Sequence, residues 1–347
     1  MTSRDILTLN SEDVRVLLDG REREILAAIS AAYTAHGRGE SSLPHSLFLR
    51  FPKDERSRII ALPAYLGDGF GIAGMKWISS FPANIEKGLD RASAVIILNS
   101  AQTGHPQVVM EGSLVSAKRT AASASLAALH LTTQKEPPRE VGIVGCGPIN
   151  FEVTRFLRTV WPSLRKFYAF DLSAGRAEQF KEKWRRLSED VEVEVISELS
   201  SVLRAANVIS IATSASTPHI LSISECAPGS TILHVSLRDL SPEIILVSDN
   251  VVDDVEHVCR AQTSIHLAEQ LTCGREFIRC TLAEVLEGTA AVKKDPEAVT
   301  VFSPFGLGVL DLAVAQLVVE LASEQKRGTL LENFLPASST DYTEHPA

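Results

Sequence analysis

Cysteine is scarce and unpaired in this sequence. The 347 residues hold five, at 146, 226, 259, 273 and 280, and no two form a CxxC pair. An odd number without that spacing excludes a disulfide framework and predicts reduced thiols, as in a cytoplasmic protein. His257, Cys259, His266 and Cys273 crowd together, but their spacings match no zinc template and no metal is expected. No run approaches the ~18 uncharged apolar residues of a membrane span. The opening "MTSRDILTLN" lacks the apolar core of a signal peptide, so no membrane partner is expected. Basic residues are outnumbered, 34 Lys and Arg against 43 Asp and Glu, and the net charge of −9 is not blocked into a tail. That balance argues against a nucleic-acid surface. Internal repeats are absent as well.

What is present reads as a globular enzyme-like chain, 45% hydrophobic and 22% charged, long enough for two domains. Residues 10 to 36 read as two helices, the first capped by Ser11 and the second ending at Gly37. From Leu47 to Leu98 short β-like runs ("SLFLRF", "RIIALPAYL", "GIAGMKWIS", "ASAVIILNS") are separated by Pro, Gly and Asp, the texture of an antiparallel sheet or barrel. "SAQTGHPQ" reads as a hairpin turn, residues 112–131 as one helix rich in small residues, and "TTQKEPPRE" as a linker. Strands and helices then alternate from residue 141 onward, which predicts a parallel doubly wound sheet. A last short strand near residue 300 leads through a glycine turn into a long helix ending before Gly328. Residues 336–347 read as a polar, disordered tail.

The segment "EVGIVGCGPIN" (140 to 150) runs from a strand through Gly145 and Gly147 into a helix opened by Pro148 and Ile149. A strand that turns abruptly into a helix aims free backbone N–H groups at one point, which suits a phosphate. Asn150 stands where the dinucleotide fingerprint has Gly or Ala. The next strand, "KFYAFDL", ends in Asp171, where a carboxylate can hold a ribose diol. It would repel a 2′-phosphate, which favours NAD over NADP, although Arg176 lies close by in sequence. Asp171 as a cap before Ser173 is the plainer alternative. Lys76 and Arg119 are cations in apolar contexts. They read either as a carboxylate-binding pair or as two surface charges.

The segments "GMKWISS", "SAKRTAASASLAA", "GIVGCG", "FDL", "HVSLRDL" and "VFSPFGLGVLDLA" occur in the order seen in the ornithine cyclodeaminase/mu-crystallin family. The resemblance spans about residues 8 to 328. Within the family, "KWI", "RASAVIILN", "VGCG", "SLRDL" and the Pro-Phe-Gly run look most like the siderophore-pathway branch. Its enzymes oxidise N-(2-amino-2-carboxyethyl)-L-glutamate to L-2,3-diaminopropionate and 2-oxoglutarate.

The resemblance implies an α/β protein with a Rossmann doubly wound sheet over residues 126–312. An α+β substrate-binding and dimerisation domain would take residues 1–125 with 313–335, and the assembly would be a homodimer. It implies that Lys76 and Arg119 bind a substrate carboxylate, with Arg50 as a weaker second clamp, and that Asp239 is the catalytic carboxylate. Thr213, Ser214, Ser236, Pro304 and Gly306 would line the nicotinamide pocket. Two departures matter: Asp239 follows Ser-Leu-Arg where cyclodeaminases are glycine-rich, and Ile60 stands where they carry a glutamate. The missing acid favours oxidative cleavage of an N-substituted amino acid, with Asp239 as base for the attacking water. The alternatives are an ornithine cyclodeaminase, a cyclic imine reductase, or a nucleotide- and ligand-binding protein of the mu-crystallin kind. Asp239 as a turn cap before Pro242 stays open.

Overall fold

The computed structural model describes residues 4–133 and 136–336; the polar tail beyond Pro336 lies outside them. In chain order they form β1 (Ile6–Leu9), α1 (Ser11–Leu18), α2 (Glu22–Gly37), β2 (Ser41–Ser42), β3 (Leu47–Phe51), β4 (Asp54–Leu66), β5 (Ile72–Ser80), β6 (Ala92–Ser100), β7 (Pro106–Glu111) and α3 (Ser113–Leu131). Next come β8 (Glu140–Val144), α4 (Pro148–Val160), β9 (Lys166–Phe170), α5 (Ala174–Leu187), β10 (Glu192–Val195), α6 (Leu199–Ala205), β11 (Val208–Ile211) and β12 (Thr231–His234). The remainder is α7 (Pro242–Val247), β13 (Asp249–Val252), α8 (Val255–Val258), α9 (Ser264–Thr272), β14 (Ile278–Thr281), α10 (Leu282–Leu286), β15 (Thr300–Ser303), α11 (Gly308–Gln325) and β16 (Thr329–Leu331).

Two compact units result. One takes the chain up to Arg21, Arg38–Ser116 and the chain from Gly308 onward; the other takes Glu22–Gly37 and Ala117–Leu307. The division falls within α3, at Ser116, where the sequence suggested residue 125. The helix α2, adjacent in sequence to α1, packs instead on α4 and α10 in the second unit.

The first unit is built on a sheet of order β16-β1-β7-β6-β5-β4-β2, with β3 also paired to β4. Its central strands are antiparallel, and one face carries the buried row Leu62, Lys76, Ile96 and Met110 in register. The helix α11 packs on β4 and β5. Gly74 permits its approach, because a Cβ there would strike the carbonyl of Ile97 and lie 3.0 Å from Leu312. The opposite face keeps Tyr65, Trp77 and Val95 about two-fifths exposed. Asn10, and not Ser11, caps α1: its Oδ1 accepts from the N–H of Glu12 (2.9 Å) and Asp13 (3.0 Å), and Asp13 answers through the N–H of Asn10. A reciprocal box satisfies two orphan donors at once.

The second unit holds an all-parallel sheet of order β10-β9-β8-β11-β12-β15-β13-β14. Its central strands β11, β12, β13 and β15 are buried along their whole length because both faces are covered, as parallel sheets require. Strand order reverses between β8 and β11, and ligands of such sheets bind at the carboxyl ends beside that point.

Candidate active site

Four loops leave the carboxyl ends of adjacent strands β8, β11, β12 and β15 in the second unit: Gly145–Gly147, Ala212–Ser214, Val235–Asp239 and Pro304–Gly306. At the first, Gly145 has φ +88, and a Cβ there would sit 2.5 Å from the carbonyl oxygen of Ala212. Only glycine fits that conformation and that approach. Gly147 is the N-cap of α4 and offers no capping side chain, Pro148 follows at the first helical position, and no atom lies within 4 Å of where a Cβ on Gly147 would be. A helix start with uncapped donors and open space in front of it suits a pyrophosphate. Asn150 turns the other way. It is fully buried, donates to the carbonyls of Val144 (2.9 Å) and Gly145 (2.7 Å), and accepts from Ser210 Oγ (2.6 Å). It locks the loop against β8 and β11, the close packing that the third glycine of the fingerprint otherwise supplies.

Asp171 follows β9 and accepts from the Cys146 N–H through Oδ2 and the Ser173 N–H through Oδ1, both at 2.8 Å. Each carboxylate oxygen accepts a second bond, so the group braces the glycine loop and keeps capacity for a diol. Cys146 is held as a thiol: burial, aided by the charge of Asp171, pushes it up to about 12. Arg176 is exposed on the first turn of α5.

Asp239 is the centre of the second cluster. Its side chain is fully buried and receives Thr213 Oγ1 and His219 Nε2 (3.1 Å) on Oδ1 and Ser236 Oγ on Oδ2. His234 Nε2 lies 3.1 Å from its amide and 3.3 Å from Oδ2. Burial raises this carboxyl, but His234, Ser236 and Thr213 together hold it far below the usual carboxylate range. The cap of α7 is Ser241, whose Oγ accepts from the Ile244 N–H. Capping the turn before Pro242 therefore does not account for Asp239. Ser236, expected at the nicotinamide, faces Asp239, while Ser214 is exposed beside Thr213.

Arg119, on α3, lies against Gly306. A Cβ at Gly306 would stand 2.6 Å from its Nη1, and φ there is +93. The Phe305–Gly306 turn is fixed by Asp253, a buried carboxylate that accepts from both amides (2.8 and 2.7 Å). Burial pushes the Asp253 carboxyl up, and those two N–H bonds partly offset it.

In the first unit, Lys76 on β5 is only 2% exposed and sits 2.8 Å from Asp311 Oδ2 and 3.0 Å from Ser116 Oγ. Asp311 occupies the first turn of α11, where the helix dipole favours an anion. Arg50 is exposed on β3, its guanidinium over the Phe48 ring. Sequence reading missed Asp311, Asp253, His219 and His234. An aspartate in the apolar run "GVLDLA" was a readable signal; nothing in the sequence links residue 219 to 239.

A model of the ornithine cyclodeaminase/mu-crystallin family matches residues 7–326. The chain belongs to this family. Among its relatives, the N-((2S)-2-amino-2-carboxyethyl)-L-glutamate dehydrogenase of Staphylococcus aureus is 27% identical over 335 residues, covering 95% of this chain and 99% of that protein. Among solved structures, the Δ1-pyrroline-2-carboxylate reductase of Thermococcus litoralis, in complex with NADH and L-proline, superposes with a TM-score of 0.86 at 25% identity. It covers 93% of this chain and 99% of its own. An archaeal alanine dehydrogenase, a dimer with bound NAD, gives 0.83 at 27% identity, covering 94% and 99%. Relatives named as dehydrogenases and as a reductase thus each match more than nine-tenths of this chain.

Proposed function

We propose that the protein is an NAD-linked oxidoreductase acting at the CH–N bond of an amino acid. Its reaction is oxidative C–N cleavage of an N-substituted amino acid of the N-(2-amino-2-carboxyethyl)-L-glutamate type. The observation that carries the reading is the buried Asp239 carboxylate at the carboxyl end of the same parallel sheet that presents Gly145 and Gly147. Relatives named as dehydrogenases and reductases, two of them solved with NAD or NADH, support it.

Gly145, Gly147 and the first turn of α4, at Pro148 and Ile149, hold the pyrophosphate, with Asn150 keeping the loop in place. Asp171 takes the adenosine ribose. Thr213, Ser214, Ser236, Pro304 and Gly306 border the nicotinamide. Bound NAD supplies the hydride acceptor. Arg119 grips the substrate carboxylate with a planar fork, and orientation of that kind contributes ~7–11 kcal/mol toward a barrier. Lys76, whose charge Asp311 balances at 2.8 Å, is assigned to binding the substrate carboxylate. Arg50, exposed on β3, is assigned as a weaker second clamp. Asp239, kept ionised by its hydrogen-bond partners, stabilises the iminium that forms at Cα.

The face bearing Tyr65, Trp77 and Val95 supports a homodimer, as the archaeal alanine dehydrogenase forms. The five free cysteines accord with a reducing, cytoplasmic setting. The test is product identity. Incubation with NAD and N-(2-amino-2-carboxyethyl)-L-glutamate should give 2,3-diaminopropionate and 2-oxoglutarate. Proline and ammonia from ornithine, with no such products, would move the protein to the cyclodeaminase branch.

A further inference from the structure

We infer that His219 is the acid–base group of this site, passing protons to and from the substrate with Asp239 as its fixed anionic partner. This rests on the oxidoreductase reading above and moves the base from Asp239, where the sequence put it, to a neighbour.

The geometry is specific. His219 Nε2 lies 3.1 Å from Asp239 Oδ1, and the backbone N–H groups of His219 and Ile220 both donate to the Asp239 carbonyl, at 2.9 and 2.8 Å. The loop after β11 is therefore laced to residue 239 through main chain and side chain together. An ionised carboxylate only accepts, so Nε2 bears the proton and the lone pair of the imidazole stands on Nδ1. Asp239 is fully buried, whereas the His219 side chain is 40% exposed. Thr213, Ser236 and His219 occupy both oxygens of Asp239. Protonating it would set a new O–H against donors already in place, and His234, Ser236 and Thr213 keep it ionised despite its burial. A carboxylate so stabilised is a poor proton acceptor near neutrality. Imidazole is the side chain suited to that exchange. A carboxylate that fixes an imidazole's tautomer and balances the imidazolium is the division of labour found in catalytic triads.

The Cα–H bond breaks and its electron pair leaves as hydride to NAD, so the substrate is oxidised to an iminium and the cofactor reduced. A water oxygen bonds to Cα while His219 Nδ1 takes one of its protons, giving a neutral carbinolamine. The imidazolium returns that proton to the carbinolamine nitrogen. The C–N bond breaks, the hydroxyl proton passes to His219, and a 2-oxo acid and an amine result. One proton per turnover is released to solvent from the imidazolium.

Two substitutions separate this role from a merely structural one. His219→Gln keeps an N–H donor for Asp239 but removes the basic nitrogen. His219→Ala leaves a gap that free imidazole can enter. Turnover with NAD and N-(2-amino-2-carboxyethyl)-L-glutamate, L-alanine or L-ornithine is measured first for the unaltered protein, and NADH affinity is followed by fluorescence. Both variants should bind NADH normally and lose ~10²–10⁴-fold in kcat, the range for a general acid–base, and imidazole should restore part of the rate to His219→Ala alone. A Gln variant as fast as the unaltered protein, or an Ala variant indifferent to imidazole, overturns the role of His219 and leaves the oxidoreductase reading standing. Absence of net NADH from the unaltered protein with all three substrates overturns the functional reading, and this inference with it.

Discussion

At the scale of single residues, the site is held by carboxylates that each have a distinct task. Asp171 braces the glycine loop through the Cys146 amide and, in the proposed function, presents negative charge toward an adenosine ribose. Asp171→Ser should therefore narrow or invert a preference for NAD over NADP, read from the two dissociation constants; equal affinities in the unaltered protein would contradict the assignment. Gly306 is the residue that makes room for Arg119. Gly306→Ala adds a methyl 2.6 Å from the guanidinium at a φ of +93, so Arg119 must move. We expect kcat/KM to fall ~10²-fold, the cost of a misplacement near one ångström, with the protein still folded by circular dichroism. Some of this was legible beforehand. Gly145, Gly147 and Asp171 stand where a strand-turn-helix pattern requires them, and Asp239 and Arg119 lie in motifs that carry the family resemblance. Asn150 was legible as a position but not as a role, because its bond from Ser210 depends on β11 lying alongside. His219, Asp253 and Asp311 acquire their partners only through folding over 20, 52 and 235 residues.

At the scale of elements, the ion pair joining β5 to α11 is the feature most exposed to a stability test. Lys76 and Asp311 are both buried, at 2% and 0% exposure, so removing one partner strands the other charge. Asp311→Leu should destabilise by ~3–5 kcal/mol, and the double variant Lys76→Met with Asp311→Leu should recover much of it. Urea denaturation of the three proteins measures this. If Asp311→Leu is neutral, the pair does not anchor α11. The long elements were readable from periodicity, and α2 ends at Gly37, as predicted. The elements β1, β14, β16 and α7 were missed. They run for three to six residues, too few to establish a period, and their identity comes from the strands or helices they meet.

At the scale of the whole molecule, the order of strands in the second unit, reversing between β8 and β11, explains why the glycine loop and the Asp239 cluster share one end of a sheet. The exposed apolar face of the first unit gives a prediction of assembly. Trp77 and Val95 are register partners on it, each 40% exposed, and a charge there is costly only if the face is covered. Trp77→Glu should convert a dimer to a monomer in light scattering at micromolar concentration, and a monomeric unaltered protein would refute the dimer outright. The central claim is oxidation of an amino acid's CH–N bond at the expense of NAD. It is tested most directly by following the absorbance of reduced nicotinamide when protein, NAD and N-(2-amino-2-carboxyethyl)-L-glutamate are mixed, with the 2-oxo acid assayed alongside. The account predicts net NADH in equal amount to the 2-oxo acid. Tight nucleotide binding with no net NADH from that compound, L-alanine or L-ornithine would contradict it.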